Sequence, residues 1–218
     1  MNRKDYIKEF ENNEYKEISR LFISRTTDYI KENLKSICDG ITQELDCFLE
    51  NISLVQKKQP IPVGQITISL IRVSAWEKQK LIRFDAYDHE QLLGRNIAFE
   101  YIDAQWLFNA WDQYYEKLIN KVKQTNNVRY MKDAAIRQMM NRSLKELAII
   151  LAMTLKYTLN DSDYLEHFEE CIRSEGFIIS AGEYMDWQKM LYAELPEVDI
   201  FFNQKKNPLI FQKIKNKG

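Results

Sequence analysis

Glycine is scarce in this chain, with six in 218 residues, at positions 40, 64, 94, 176, 182 and 218. From those positions neither a GxGxxG fingerprint nor a P-loop can be written, and GxSxG is absent as well, so nucleotide and acyl chemistry through those familiar loops is excluded. Cysteine is equally sparse: three residues, an odd number without close spacing, do not build a disulfide framework. Cys38 and Cys47 lie nine apart in a stretch that reads as helix, on opposite sides of it, and a reducing cytoplasm is the expected setting. The longest apolar run, Leu147 to Leu155, is bracketed by Lys145, Glu146 and Lys156 and falls far short of the roughly 20 residues of a membrane span. MNRKDYIKEF at the N-terminus has no apolar centre and is no secretory signal. Neither sign of charge dominates: 31 basic against 32 acidic residues and a pI near 6.2 give no overall attraction to nucleic acid or an anionic membrane.

What is present is ordinary for a globular and helix-rich protein, for which a bacterial source is expected: 45% hydrophobic and 29% charged residues, enough length to bury about 70% of the unfolded surface in one core. A single domain over 1–218 is expected. The exception to helical periodicity is Gln65 to Asp88, where apolar residues repeat with a period of two. This stretch predicts a central β-hairpin, about 65–88. With Glu77 to Lys80 as the loop, Trp76 faces Leu81, Ala75 faces Ile82, Val73 faces Phe84 and Ile71 faces Ala86, while Arg72 meets Asp85 on the other face. The fold class is therefore α+β, mostly helical, with a small antiparallel sheet built on that hairpin.

Around it, Glu14 to Ile52 reads as a long amphipathic helical segment (about 14–52), one helix or two with a break near Gly40, packed on the domain or projecting from it. Pro60 and Pro62 end it. IAFEY, from Ile97 to Tyr101, reads as a third strand. Asp103 caps a helix to about Lys123. The next helix, Tyr130 to about Leu159, is nearly apolar all round between Leu147 and Leu155 and so is expected to be central. A helix from Asp161 or Ser162 stops at Gly176. GFIIS then reads as a short strand, GEYMDWQKMLYAEL as a helix and VDIFF as another short strand.

Four polar residues after the hairpin, Asp85, Asp88, His89 and Glu90, with Glu100 nearby, are candidate metal ligands, because carboxylates at a strand end hold Mg²⁺ or Mn²⁺ in phosphodiester hydrolases. Their spacing matches no specific motif, Asp85 has a partner in Arg72, and a solvated turn after a strand is the preferred reading. His167 and Cys171, four apart, supply half a zinc site at most and read as a half-buried histidine beside an inert thiol. The aromatics from Tyr101 to Tyr115 exceed one helix stripe, so they serve either a two-sided core or an interface. Charge is segregated: a basic strip from Lys121 to Lys145, an acidic segment from Asp161 to Glu175 expected to pack beside it and cancel its field, and a basic tail after Asp199.

The expected role is that of a non-enzymatic protein-interaction or accessory protein, with Trp106, Trp111, Tyr115, Arg137 and Arg142 as candidate contact residues and with another protein or a second copy as partner. No cofactor and no membrane are expected. The alternative is nucleic-acid binding through the basic strip and tail, and a third reading is a metal-dependent hydrolase using the acidic cluster.

Overall fold

Helices α1 (Arg3–Phe10), α2 (Lys16–Glu32) and α3 (Leu34–Lys58) precede β1 (Val63–Leu70), β2 (Leu81–Tyr87) and β3 (Asn96–Asp103). Helices α4 (Trp111–Lys123) and α5 (Asp133–Asp161) and strands β4 (Arg173–Glu183) and β5 (Gln188–Ala193) complete the chain. The computed structural model describes residues 2–125, 131–161 and 165–194. The class is α+β. The five strands form one mixed sheet in the order β3-β2-β1-β4-β5, antiparallel throughout except for the parallel pair β1 and β4. The expected VDIFF strand and the basic tail lie outside the described residues.

β1 is buried along its whole length because it is the central strand. Ile66, Ile68 and Leu70 face the helices, with Phe84 in edge contact with Phe48 of α3 at 5.7 Å. Gln65, Thr67 and Ser69 face the other way, where Gln65 donates to Ser180 (2.8 Å) and Gln188 donates to Ser69 (3.0 Å). β1 and β2 are antiparallel neighbours as the pattern predicts, but the register is displaced: Ile82 pairs with Leu70, Phe84 with Ile68 and Ala86 with Ile66. The apolar alternation changes phase between Leu70 and Ile71, so residues 66–70 and 71–75 can each set an apolar face against β2; the connection decides between them. Val73–Trp76 closes into a 3₁₀ turn. Ser74 Oγ takes the N–H of Leu81, and Lys80 Nζ turns back to the carbonyls of Ala75 (2.8 Å) and Glu77 (2.9 Å).

The long N-terminal segment breaks at Asn33, not at Gly40, because Asn33 leaves the helical region (φ −112°, ψ 16°) and both its backbone N–H and its side-chain amide take the carbonyl of Tyr29. Gly40 has open space around it and stays helical. The segment does not project: Ile37, Ile41, Leu45, Phe48, Leu49 and Ile52 are all in the core. Gln56 ties the end of α3 to the start of β4, donating to the carbonyls of Ile61 and Ile172 and accepting the N–H of Ile172.

Asp103 belongs to β3 rather than capping a helix, and α4 starts only at Trp111. The expected helix before Gly176 is a turn over 166–170 followed by β4. Arg173 fixes this turn by donating to the carbonyl of Phe168 and to Glu194 (2.8 Å). GFIIS is indeed strand, inside β4, but the following segment folds back as β5 instead of a helix. Central α5 carries buried Ile136, Met140, Leu144, Leu147, Leu151 and Leu155, yet it is not covered all round: Ile149, Met153 and Tyr157 are exposed.

Candidate interaction surface

The acidic residues after β2 do not converge. Asp85 is wholly buried on the sheet face away from the helices, bound by Arg83 (Nη2 at 2.7 Å, Nε at 2.9 and 3.0 Å) and by the amide of Asn96 (2.8 Å). Arg72, its expected partner, instead holds Glu183 and Asp186 (2.7 Å). Asp88 organises the turn, its carboxylate accepting the backbone N–H groups of Arg95 (3.1 Å) and Glu90 (3.0 Å), and these donors hold its pKa below the usual carboxylate value. His89 and Glu90 are exposed in the same turn, and Glu100 sits on the sheet edge within 3.4 Å of the Asn51 amide. Among the described residues no three His, Cys, Asp or Glu side chains come together to hold a metal ion.

His167 and Cys171 are not on one helix face. His167 turns to Asp46 through both its backbone N–H (3.0 Å) and Nδ1 (2.8 Å), and the buried Cys171 thiol donates to the carbonyl of Leu49 (3.3 Å). Burial pushes that thiol up to about 11, which leaves little thiolate.

Of the five candidate contact residues, Trp111 is wholly inside, in edge contact with Phe22, Trp76, Phe108 and Tyr114 at 5.5 to 6.1 Å, and so belongs to the core. Trp106 is half-buried against the same core. Tyr115 and Arg137 meet at the surface. The Arg137 guanidinium lies 4.8 Å from the Trp76 ring and 5.9 Å from the Tyr115 ring, and Asp133 accepts from both Tyr115 and Arg137 (2.8 Å). Trp76 Nε1 donates to Asn141 (3.1 Å).

Arg142 belongs to a different place, an open groove of about 470 Å³ between α2 and α5 lined by Tyr15, Lys16, Ser19, Arg20, Ile23, Arg142 and Glu146. Through Tyr15 and Ser19 its floor continues into a buried set of hydroxyls centred on Ser143, which lies 3.0 Å from Ser19 and 3.1 Å from both Tyr15 and Tyr114; Tyr15 in turn donates to the carbonyl of Met139 (2.7 Å). One closed set of donors satisfies all four groups. A π-helical turn, Glu11–Tyr15, joins α1 to α2 beside this floor, in a position where such turns often mark functional sites. It also supplies acids to the basic strip: Glu11 holds Arg142 (3.0 Å) and Glu14 holds Lys121 (3.0 Å). Among the described residues, the ion pairs of the strip run to this turn and to Asp133. Arg20 is exposed and has no ion-pair partner among the described residues. Partial burial raises the Glu146 carboxyl above its ordinary value. Beyond the groove, Ile149, Met153 and Tyr157 continue along the outer side of α5 at four-residue spacing.

Sequence reasoning did not select Lys16, Arg20, Tyr15 or Ser19. Tyr15 and Ser19 meet α5 at Met139 and Ser143, more than 120 residues away, and no local pattern joins the two helices. No helix among the described residues is long and apolar enough to cross a membrane. In comparisons with protein-family models, curated proteins and solved structures, the chain matches none.

Proposed function

We propose that the chain is a non-enzymatic protein-interaction or accessory protein of a bacterial cytoplasm, and that it takes an amphipathic helix of a partner protein into the groove between α2 and α5. The observation that carries the reading is the polarity of this groove: Lys16, Arg20 and Arg142 at one end, exposed Ile149, Met153 and Tyr157 leading away from it. A helix lying there sets acidic side chains against the cations and apolar residues at one-turn spacing against the stripe. Glu146, between the two, favours a basic or hydroxyl side chain at the middle of the ligand. Nucleic acid is less well supported, since Lys121 and Arg137 outside the groove already hold carboxylates that phosphate would have to displace, and a polynucleotide backbone leaves the apolar stripe of Ile149, Met153 and Tyr157 unused.

The test is a photo-reactive residue in place of Met153 in the full chain, expressed in the native host. A discrete protein adduct that disappears when Arg20→Glu and Arg142→Glu are added is expected. Adducts to nucleic acid, or no adduct at this position, would retire the reading.

A further inference from the structure

A second surface, sharing no residue with that groove, is the open edge of β3. It is eight residues long, contains neither lysine nor proline and has no strand beside it among the described residues, whereas the opposite edge, β5, carries exposed Lys189, a common guard against pairing. Phe99 and Tyr101 project from β3 on the face away from the helices, 57% and 50% exposed. Arg83 lies under them, 4.5 Å from the Phe99 ring and 5.5 Å from that of Tyr101, and donates to the Tyr101 hydroxyl (3.3 Å). The two rings are thus held in place while their outer sides meet solvent. On the helix side of the same edge runs a groove of about 390 Å³ between β3 and α3, whose lining includes Phe48, Lys58, Ala98, Phe99 and Glu100.

We infer that this edge pairs antiparallel with β3 of a second copy of the chain, about a two-fold axis at Phe99, to make one continuous sheet. Strand register selects this arrangement. Cross-strand neighbours share a face, so the two helix layers fall on the same side only when a residue sits opposite its own counterpart. With the axis at Glu100 two carboxylates oppose each other; with the axis at Tyr101 each Phe99 faces Asp103 of the other copy. With the axis at Phe99, the two Phe99 rings meet and Glu100 of each copy lies opposite Ala98 of the other. Ala98 and Lys58 line the same groove, so the incoming carboxylate arrives beside a lysine, once in each half of the pair. A bulge in β3 next to Ala98 limits regular pairing to the stretch around Phe99, and the rest of the contact is side chains in the α3 groove.

Sedimentation equilibrium of the full chain from about 1 to 500 µM, a span covering weak and moderate affinities, is the test. The expected result is a mass that rises from 26.1 kDa toward twice that value. Glu100→Lys sets lysine against Lys58 and should weaken the dimer by about tenfold or more, and Lys58→Glu added to it should restore most of the affinity. Independently, Phe99→Cys in a Cys47→Ser background, which leaves the two native thiols buried, should give a disulfide-linked dimer on mild oxidation, while Met190→Cys on β5 should not. A monomer at every concentration, an association indifferent to Glu100→Lys, a failed charge exchange or no cross-link at position 99 would each overturn the inference. An extended peptide of another protein as the true occupant would appear as the first of these.

Discussion

Replacing Arg83 by methionine tests the least expected feature of the sheet, a buried ion pair on the face away from the helices. Asp85 is wholly buried and Arg83 keeps only 17% of its side chain exposed, so losing the guanidinium leaves a carboxylate with the Asn96 amide as its remaining partner. Breaking a buried pair from one side costs about 3–5 kcal/mol. Solvent reaches the arginine, which argues for the lower end of that range; the lost stacking on Phe99, Tyr101 and Tyr184 argues for the upper, at about 0.5–1 kcal/mol per exposed ring. In a chain of this size each kcal/mol moves the melting point by about 2–4 °C, so a fall of roughly 6–20 °C is expected. The double variant Arg83→Met, Asp85→Leu removes the orphaned charge, and because Asn96 is only half-buried water can satisfy its amide. It should recover most of the loss in urea denaturation at unchanged slope. A single variant within about 1 kcal/mol of the parent, or a double variant no more stable than the single, would refute the claim that this pair is a buried charge in need of its partner.

Phe84→Ala should cost about 3–5 kcal/mol by chemical denaturation, since the ring is fully buried against Phe48 at the middle of the sheet. The hydrogen bond from His167 to Asp46 raises the imidazole pKa above its ordinary 6.5, so its stabilisation is fully present below that value and fades as pH climbs through the raised one. The stability gap between the parent and His167→Gln should therefore be wide at pH 5.5 and nearly closed at pH 9; a gap independent of pH counts against the pair. Gly182→Ala should destabilise by about 1–3 kcal/mol, because the added methyl meets the backbone of Trp187 and Gln188 at a tight turn, where neither can yield. Equal melting curves would show that the turn is looser than described.

Much of the architecture was readable from periodicity. Ile66, Ile68 and Leu70 against Ile82, Phe84 and Ala86 specify two strands with a common apolar face, but that same alternation leaves register to the connection, and nothing local announces that Ser74 and Lys80 will tie residues 71–80 into a compact turn. Leu165, Phe168 and Ile172 mimic a helix. What prevails is Phe168 packing on Phe177 and Tyr192, contacts available only once β4 and β5 have paired. Likewise Met185 to Ala193 is rich in helix formers, yet β4 offers it a ladder, and a positive φ at Met185 turns the chain back. Asp85 was legible in principle: Arg83, two residues away on the same strand, shares its face, and its long side chain reaches the carboxylate along the strand. The α2 and α5 groove was not, because its two walls are joined by tertiary contacts alone.

The parallel seam between β1 and β4 sets a clock for this chain during synthesis. β1 leaves the ribosome roughly a hundred residues before β4, and at about 5–20 residues per second the most buried strand of the finished sheet waits for seconds with one side unpaired. β2 and β3 follow it at once and can cover the other side, so the nascent protein is a three-stranded meander whose inner edge, Ile66 to Leu70, is the one most in need of protection. Truncation before residue 173 should therefore yield a chain that binds holdase chaperones through β1, and folding of the whole should be limited by arrival of the last two strands rather than by the helices.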